Sequence, residues 1–150
     1  MKLYLVQHGE AKSKEEDPKR PLTEKGKKDA QKIASFLKNA GIKPASIFHS
    51  GKERARETAE IIGNAIGIDP VQKDSLSPLD DPKVWAERIK NMDEDIMIVG
   101  HLPHLSRLSS LLLVGDPEKN IIAFRMAGIV CLRREEENWS VSWMIIPDLL

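Results

Sequence analysis

The sequence holds a single cysteine, Cys131, in 150 residues. A lone cysteine excludes an intrachain disulfide and any cysteine-rich zinc site, and its place in a predicted strand reads as a buried, inert thiol. An excess of charge is missing too: 23 Lys and Arg stand against 23 Asp and Glu. A general nucleic-acid binder carries a visible basic surplus, so no nucleic-acid partner is expected, while local basic patches stay open. No apolar run approaches the length of a membrane span. The opening Met1-Lys2-Leu3-Tyr4-Leu5-Val6 reaches polar Gln7-His8 far too soon for a signal peptide. A cytoplasmic protein without membrane association is the expectation. No linker, repeat or low-complexity tract divides the chain, and its length suits one domain with its own core.

What is present alternates strand and helix signals. Lys2 to Gln7 is a short apolar run ending in polar residues, a buried strand. Residues 9–21 are polar and contain two prolines, hence a loop. Thr23 is placed to cap a helix running to about Asn39, with Ala30, Ile33, Ala34 and Leu37 at helical spacing. Ser46 to His49 gives a second strand, and about Lys52 to Ala65 a second one-sided helix closed by Gly67. Val71 to Lys73 reads as a short strand and Leu76 to Asp81 as a loop. Asp81-Pro82 is an N-cap and first turn for a helix carrying Trp85, Ile89 and Met92. Ile96 to Val99 is the clearest central strand. A leucine-rich helix follows, with Leu105, Leu108, Leu111 and Leu112 on one side, ending near Gly115. Gly128 to Arg133 and Trp139 to Ile146 form a hairpin across the polar loop 134–138, with Trp139 and Trp143 expected on one strand face. The order predicts a three-layer α/β/α fold: a mainly parallel sheet, helices on both faces and an antiparallel C-terminal hairpin.

Ligands in such sheets bind beyond the carboxyl ends of the strands. His8, His49 and His101 each stand at such an end, and two adjoin glycine, which lets a ligand approach closely. Any one of them could merely cap a strand; His8 and His101 together, at equivalent ends of two central strands, point to a site. Ser50 to Thr58 opens the second helix with Arg54 and Thr58 four residues apart on one face. A helix N-terminus disfavours cations, so an arginine there with free backbone amides suits a phosphate or carboxylate. Lys52 and Arg56 read as a solvated face. A histidine metal site is poorly supported, because His101 and His104 lie three apart across Pro103.

Four segments together, Gln7-His8-Gly9-Glu10-Ala11, Arg20 to Gly26, Ser50 to Thr58 and Gly100-His101-Leu102-Pro103, resemble the landmarks of the histidine phosphatase superfamily. Their spacing is most similar to its small, cap-less, SixA-type phosphohistidine phosphatases with a phosphoglycerate mutase-like fold. The resemblance implies that His8 is a nucleophile forming a transient phosphohistidine, with Arg54 and His101 donating to the phosphoryl oxygens. It implies no cofactor and no metal. Gln7, Gly9, Arg20 and Thr58 are the expected secondary phosphate-binding groups. The family's motif has arginine where this chain has Gln7, which brings neither charge nor a bidentate fork. Arg20, or else Lys12 or Arg107, is the replacement cation; otherwise the protein is a weak enzyme or a phosphate-binding module. Glu10 is the first candidate proton donor to the leaving group, with Asp80 and Asp81 as alternatives and Asp81 better suited to capping. The short stretch from Gly67 to Asp95 leaves no room for a lid, which favours a phosphorylated protein of the histidine-phosphotransfer type over a small phosphate ester. A monomer or weak dimer is expected.

Overall fold

In the computed structural model, which describes residues 1–150, the first strand, β1 (Lys2–Gln7), buries both of its faces. Leu3 and Leu5 join one apolar cluster and Tyr4 and Val6 the other, as the two-residue period of a strand requires. The elements that follow are α1 (Glu24–Asn39), β2 (Ser46–His49), α2 (Glu53–Ile66), β3 (Val71–Gln72) and α3 (Pro82–Lys90). After them come β4 (Ile96–Gly100), α4 (His104–Val114), β5 (Ile129–Glu135), β6 (Asn138–Ile145) and a short 3-10 turn at Pro147–Leu149. The six strands form one sheet in the order β3-β2-β4-β1-β5-β6. β1, β2, β3 and β4 pair in parallel, and β5 and β6 add the antiparallel hairpin.

The helices cover the sheet in two pairs. Ile33, Ala34 and Leu37 of α1 and Ala55, Ala59 and Ile62 of α2 pack on the side of Tyr4, Val6, Met97 and Val99. Trp85 and Ile89 of α3 and Leu105 and Leu108 of α4 pack on the side of Leu3, Leu5, Ile96 and Ile98. This is the predicted three-layer α/β/α fold. Thr23 caps α1 by accepting from the Gly26 amide, and Gly67 ends α2 in the left-handed region. Asp81 caps α3 through the Lys83 amide.

Three expectations change. α3 stops at Lys90, with Asn91 as its C-cap, so Met92 lies beyond the helix. The hairpin turn is shorter than predicted, because Glu135 still pairs with Asn138. Trp139 and Trp143 do not share a face: Trp139 packs with the α3–α4 cluster and Trp143 with the α1–α2 cluster. The register moves by one residue between Cys131↔Trp143 and Leu132↔Val141. Ser142 is therefore an extra residue in β6, a bulge that reverses which way the side chains beyond it point.

Candidate active site

The parallel register carries the site. Gln7 is opposite Gly100 and His49 opposite Val99, so the next residues, His8, His101 and Ser50, emerge together at the carboxyl end of three adjacent strands. His8 and His101 are both buried, and their ring centroids are 5.1 Å apart. The His8 amide continues the ladder to the Gly100 carbonyl at 3.0 Å. On the other side, Ala127 N–H donates to the Gln7 carbonyl at 2.9 Å and the His8 carbonyl at 3.2 Å. Ala127 is fully buried with φ of 60°, an unfavourable backbone state for a residue with a Cβ.

Both histidines are held towards the neutral form, and His8 has a defined proton. His8 Nδ1 lies 2.7 Å from the Gly9 carbonyl. A carbonyl only accepts, so the ring proton sits on Nδ1 and Nε2 keeps its lone pair. Burial, reinforced by Arg54 and Arg20, pushes the His8 pKa down to about 4. His101 is pushed down to about 3, by burial first and then by His8, Arg54 and Lys52. His101 Nε2 lies 2.6 Å from Ser50 Oγ, which itself accepts from the Lys52 amide at 3.3 Å. Nε2 is thus tied to the serine, while His101 Nδ1 is a buried atom with no partner in the protein. Ser50 sits in the segment that pointed to Arg54, but its role depends on a neighbour 51 residues away, which no local pattern shows.

Arg54 begins α2 beside these rings. Its Nε is buried without a partner, and burial and Arg20 both push its pKa below the usual range. The site thus holds a cation at a helix N-terminus with donor capacity unspent, a receptor for an oxyanion. Arg20 reaches the same place from the loop before α1: it lines one cleft with Arg54 and contributes to the lowered pKa of His8. Its φ is 50°, and its Nε donates to the Lys12 carbonyl at 3.0 Å. Of the other candidate cations, Arg107 is paired with Glu118. Gln7 Oε1 is buried and unpartnered.

Three expected site residues have other duties. The Gly9 amide is spent on Thr58 Oγ1 at 3.0 Å, and Thr58 donates to the Arg54 carbonyl at 2.8 Å. Gly9 and Thr58 therefore fix the loop after β1 to α2 and have no hydrogen left for a phosphate. Gly9 is needed for space, since a Cβ there would stand 2.8 Å from the Gly26 carbonyl oxygen. A Cβ on Gly26 would stand 2.1 Å from the Glu10 carbonyl oxygen. Glu10 is committed to the α1 cap: its Oε1 accepts from Thr23 Oγ1 at 2.9 Å and its carbonyl from the Thr23 amide at 2.9 Å. One oxygen of that carboxylate is thus bonded at the α1 cap.

Arg54 opens into a cleft of about 560 Å³. Lys14, Lys19, Arg20 and Lys52 line it with Arg54, against the carboxylates of Glu53 and Asp80. Asp80 accepts from the Ser77 amide at 2.8 Å. His104, three residues after His101, is fully buried with neither ring nitrogen bonded, and burial lowers its pKa. His49 accepts from the Gly51 amide at 3.0 Å. No helix is long and apolar enough to cross a membrane.

This arrangement has relatives. An uncharacterized protein of Picosynechococcus sp. is 33% identical over 141 residues, covering 89% of this chain and 85% of that protein. The Escherichia coli protein named "Probable phosphoglycerate mutase GpmB" is 33% identical over 100 residues; the match spans 63% of this chain but only 46% of that protein. Among solved structures, the protein histidine phosphatase SixA complexed with tungstate superposes with a TM-score of 0.85 over 99% of both chains at 22% identity. The alpha-ribazole phosphatase of Shigella flexneri superposes with a TM-score of 0.80 over 94% of both chains at 16% identity. At those identities the structural likeness establishes the fold. Residues 3–80 match the sequence model of the histidine phosphatase superfamily (branch 1), and with more than half its length so matched, this chain belongs to that superfamily.

Proposed function

We propose that this protein is a phosphatase acting on phosphohistidine in proteins, with His8 as the nucleophile. His8 Nε2 attacks phosphorus as the bond from phosphorus to the leaving nitrogen breaks, and a phosphoryl group is left on His8. Water then attacks that phosphorus, releasing inorganic phosphate and restoring the His8 lone pair. The observation that carries the reading is the pair of neutral histidines 5.1 Å apart beside an arginine with an unspent, buried Nε. His8 can act as nucleophile because burial keeps its proton on Nδ1 alone. Arg54, His101 and Arg20 supply fixed donors for charge spreading over the phosphoryl oxygens, with no reorganisation at the moment of transfer. Arg20 takes the part of the motif arginine that Gln7 replaces.

The substrate class follows from the surroundings. The chain runs from α2 to α3 with only the two-residue β3 between, so the cleft has no lid to close over a small molecule. The leaving imidazole of a phosphohistidine departs readily once protonated. An alkyl phosphate would need an enzyme acid, and Asp80, on the cleft wall, is the candidate for that role. A phosphohistidine peptide and p-nitrophenyl phosphate, compared by kcat/KM, test the reading. The expected order is peptide well above ester, with both lost in His8→Ala. Turnover of the ester alone would make this a phosphomonoesterase, and tight phosphate binding without turnover would make it a binding module.

A further inference from the structure

We infer that the phosphorylated residue accepted here sits on an acidic protein surface, and that Lys14, Lys19 and Lys52 receive the carboxylates flanking it. The inference rests on the phosphohistidine-protein reading and names what that partner looks like. The chain as a whole carries no net charge, yet its cleft gathers five cations against two carboxylates. Both carboxylates are occupied: Glu53 is paired with Arg56, and Asp80 accepts from the Ser77 amide. One phosphoryl group is already matched by Arg54 and Arg20. The three lysines are surplus to it, and none makes an ion pair within the protein.

The loop before α1 is built to deliver that surplus. In sequence its charges are mixed, Lys12 to Arg20 containing Glu15, Glu16 and Asp17 beside the lysines. In the fold two of the acids are turned onto the loop's own backbone. Glu16 Oε1 accepts from the Ser13 amide at 3.3 Å and Asp17 Oδ1 from the Lys19 amide at 3.0 Å. Lys12 N–H donates to the Pro21 carbonyl at 2.8 Å and Ala11 bridges to Leu22, closing the loop at its base. Lys14 and Lys19 are left on the cleft wall. A small bisphosphate would also match extra cations, but the lining holds no aromatic side chain, its apolar groups being Leu79 and two prolines, Pro18 and Pro78. No aromatic face is there to stack on a sugar or base. Leu79 is 82% exposed, a contact suited to the face of a protein. Exposed charges of this kind steer encounter and act within a Debye length of about 10 Å at 0.1 M salt.

Two phosphohistidine peptides test it, one flanked by Asp and Glu and one by Ser and Gln, with phosphoramidate as the small substrate. The wild-type protein is expected to prefer the acidic peptide by about tenfold in kcat/KM at low salt, the preference fading near about 0.5 M salt. In Lys14→Glu/Lys19→Glu that preference should vanish or invert, each peptide being scaled to phosphoramidate turnover by the same variant. Both lysines are exposed, and Lys14→Gln/Lys19→Gln gives a milder second variant. Equal use of the two peptides, or a preference that survives charge reversal, overturns the inference and leaves the phosphohistidine reading standing. Turnover of phosphoramidate with neither peptide used overturns both.

Discussion

Two partly buried arginines stand at opposite ends of the sheet, and they behave differently. Arg134 lies where α3 ends; it donates to the carbonyls of Ile89 at 2.9 Å and Met92 at 2.6 Å and covers the Trp139 ring. A cation at a helix C-terminus satisfies orphan carbonyls and complements the macrodipole, so its interactions are complete. Arg54 lies where α2 begins, at the end of the dipole that disfavours it, with Nε buried and unbonded. The same pattern extends around each residue. The five buried side-chain atoms without partners belong to Gln7, Arg54, His101 and His104, all at or beside the carboxyl ends of β1 and β4 or the starts of α2 and α4. At one end of the sheet the arginine's donors are spent, and at the other polar capacity is left unspent.

Substitutions can break that contrast. The largest effect is expected at His8: His8→Ala removes the proposed phosphoryl carrier and should lower turnover by at least about 10³-fold. Next, Arg54→Ala should cost about 10²–10³-fold in kcat/KM while leaving thermal stability equal or higher. Arg134→Ala should do the reverse, losing about 1–3 kcal/mol of unfolding free energy with activity per folded molecule kept. Denaturant melts and steady-state rates on the same samples decide it, and a stability loss in Arg54→Ala would erase the distinction. Ser50→Ala should cost about tenfold in kcat by freeing the His101 ring, with folding intact. For the missing motif arginine, Arg20→Ala should lose about 10²-fold and Gln7→Arg should gain less than about tenfold. A large gain in Gln7→Arg with little loss in Arg20→Ala would show that Gln7 weakens the native site.

A further test is in pH. His8 titrates near 4 in the fold and near 6.5 when unfolded. The unfolded chain therefore binds protons that the folded one refuses between those values. The histidine contribution to stability is fully present above about pH 6.5 and is lost as pH falls towards 4, on the order of 3 kcal/mol for His8. His101, displaced in the same direction, adds to the slope. A stability profile flat from pH 7 to 4.5 would contradict the burial assigned to the pair, as would an activity profile with its acid limb near 6.5.

The legibility of this molecule in its sequence follows the range of the interactions. Thr23, Gly67 and Asp81 act within three or four residues of themselves, and those helix ends fall where the pattern places them. The places of His8 and His101 after β1 and β4, and of Arg54 at the start of α2, were legible because they follow from the strand and helix boundaries themselves. Long-range contacts were not legible. Gly9 donates to Thr58, Thr58 donates to the Arg54 carbonyl, and Glu10 accepts from Thr23, so these residues of the motif also hold it in place. Trp139 and Trp143 were separated by the bulge at Ser142, which exists only because β6 pairs with β5. Lys14 and Lys19 were hidden in a loop whose sequence alternates sign; only the folding of Glu16 and Asp17 back onto their own backbone sorts the charges.

The central claim is that His8 carries the phosphoryl group, and rapid acid-free quenching during turnover of a ³²P-labelled phosphohistidine peptide tests it directly. The expected result is a protein-bound label that is acid-labile and base-stable, maps to the peptide containing His8 and is absent from His8→Ala. Turnover at the normal rate with no label on His8, or undiminished turnover in His8→Ala, would contradict it.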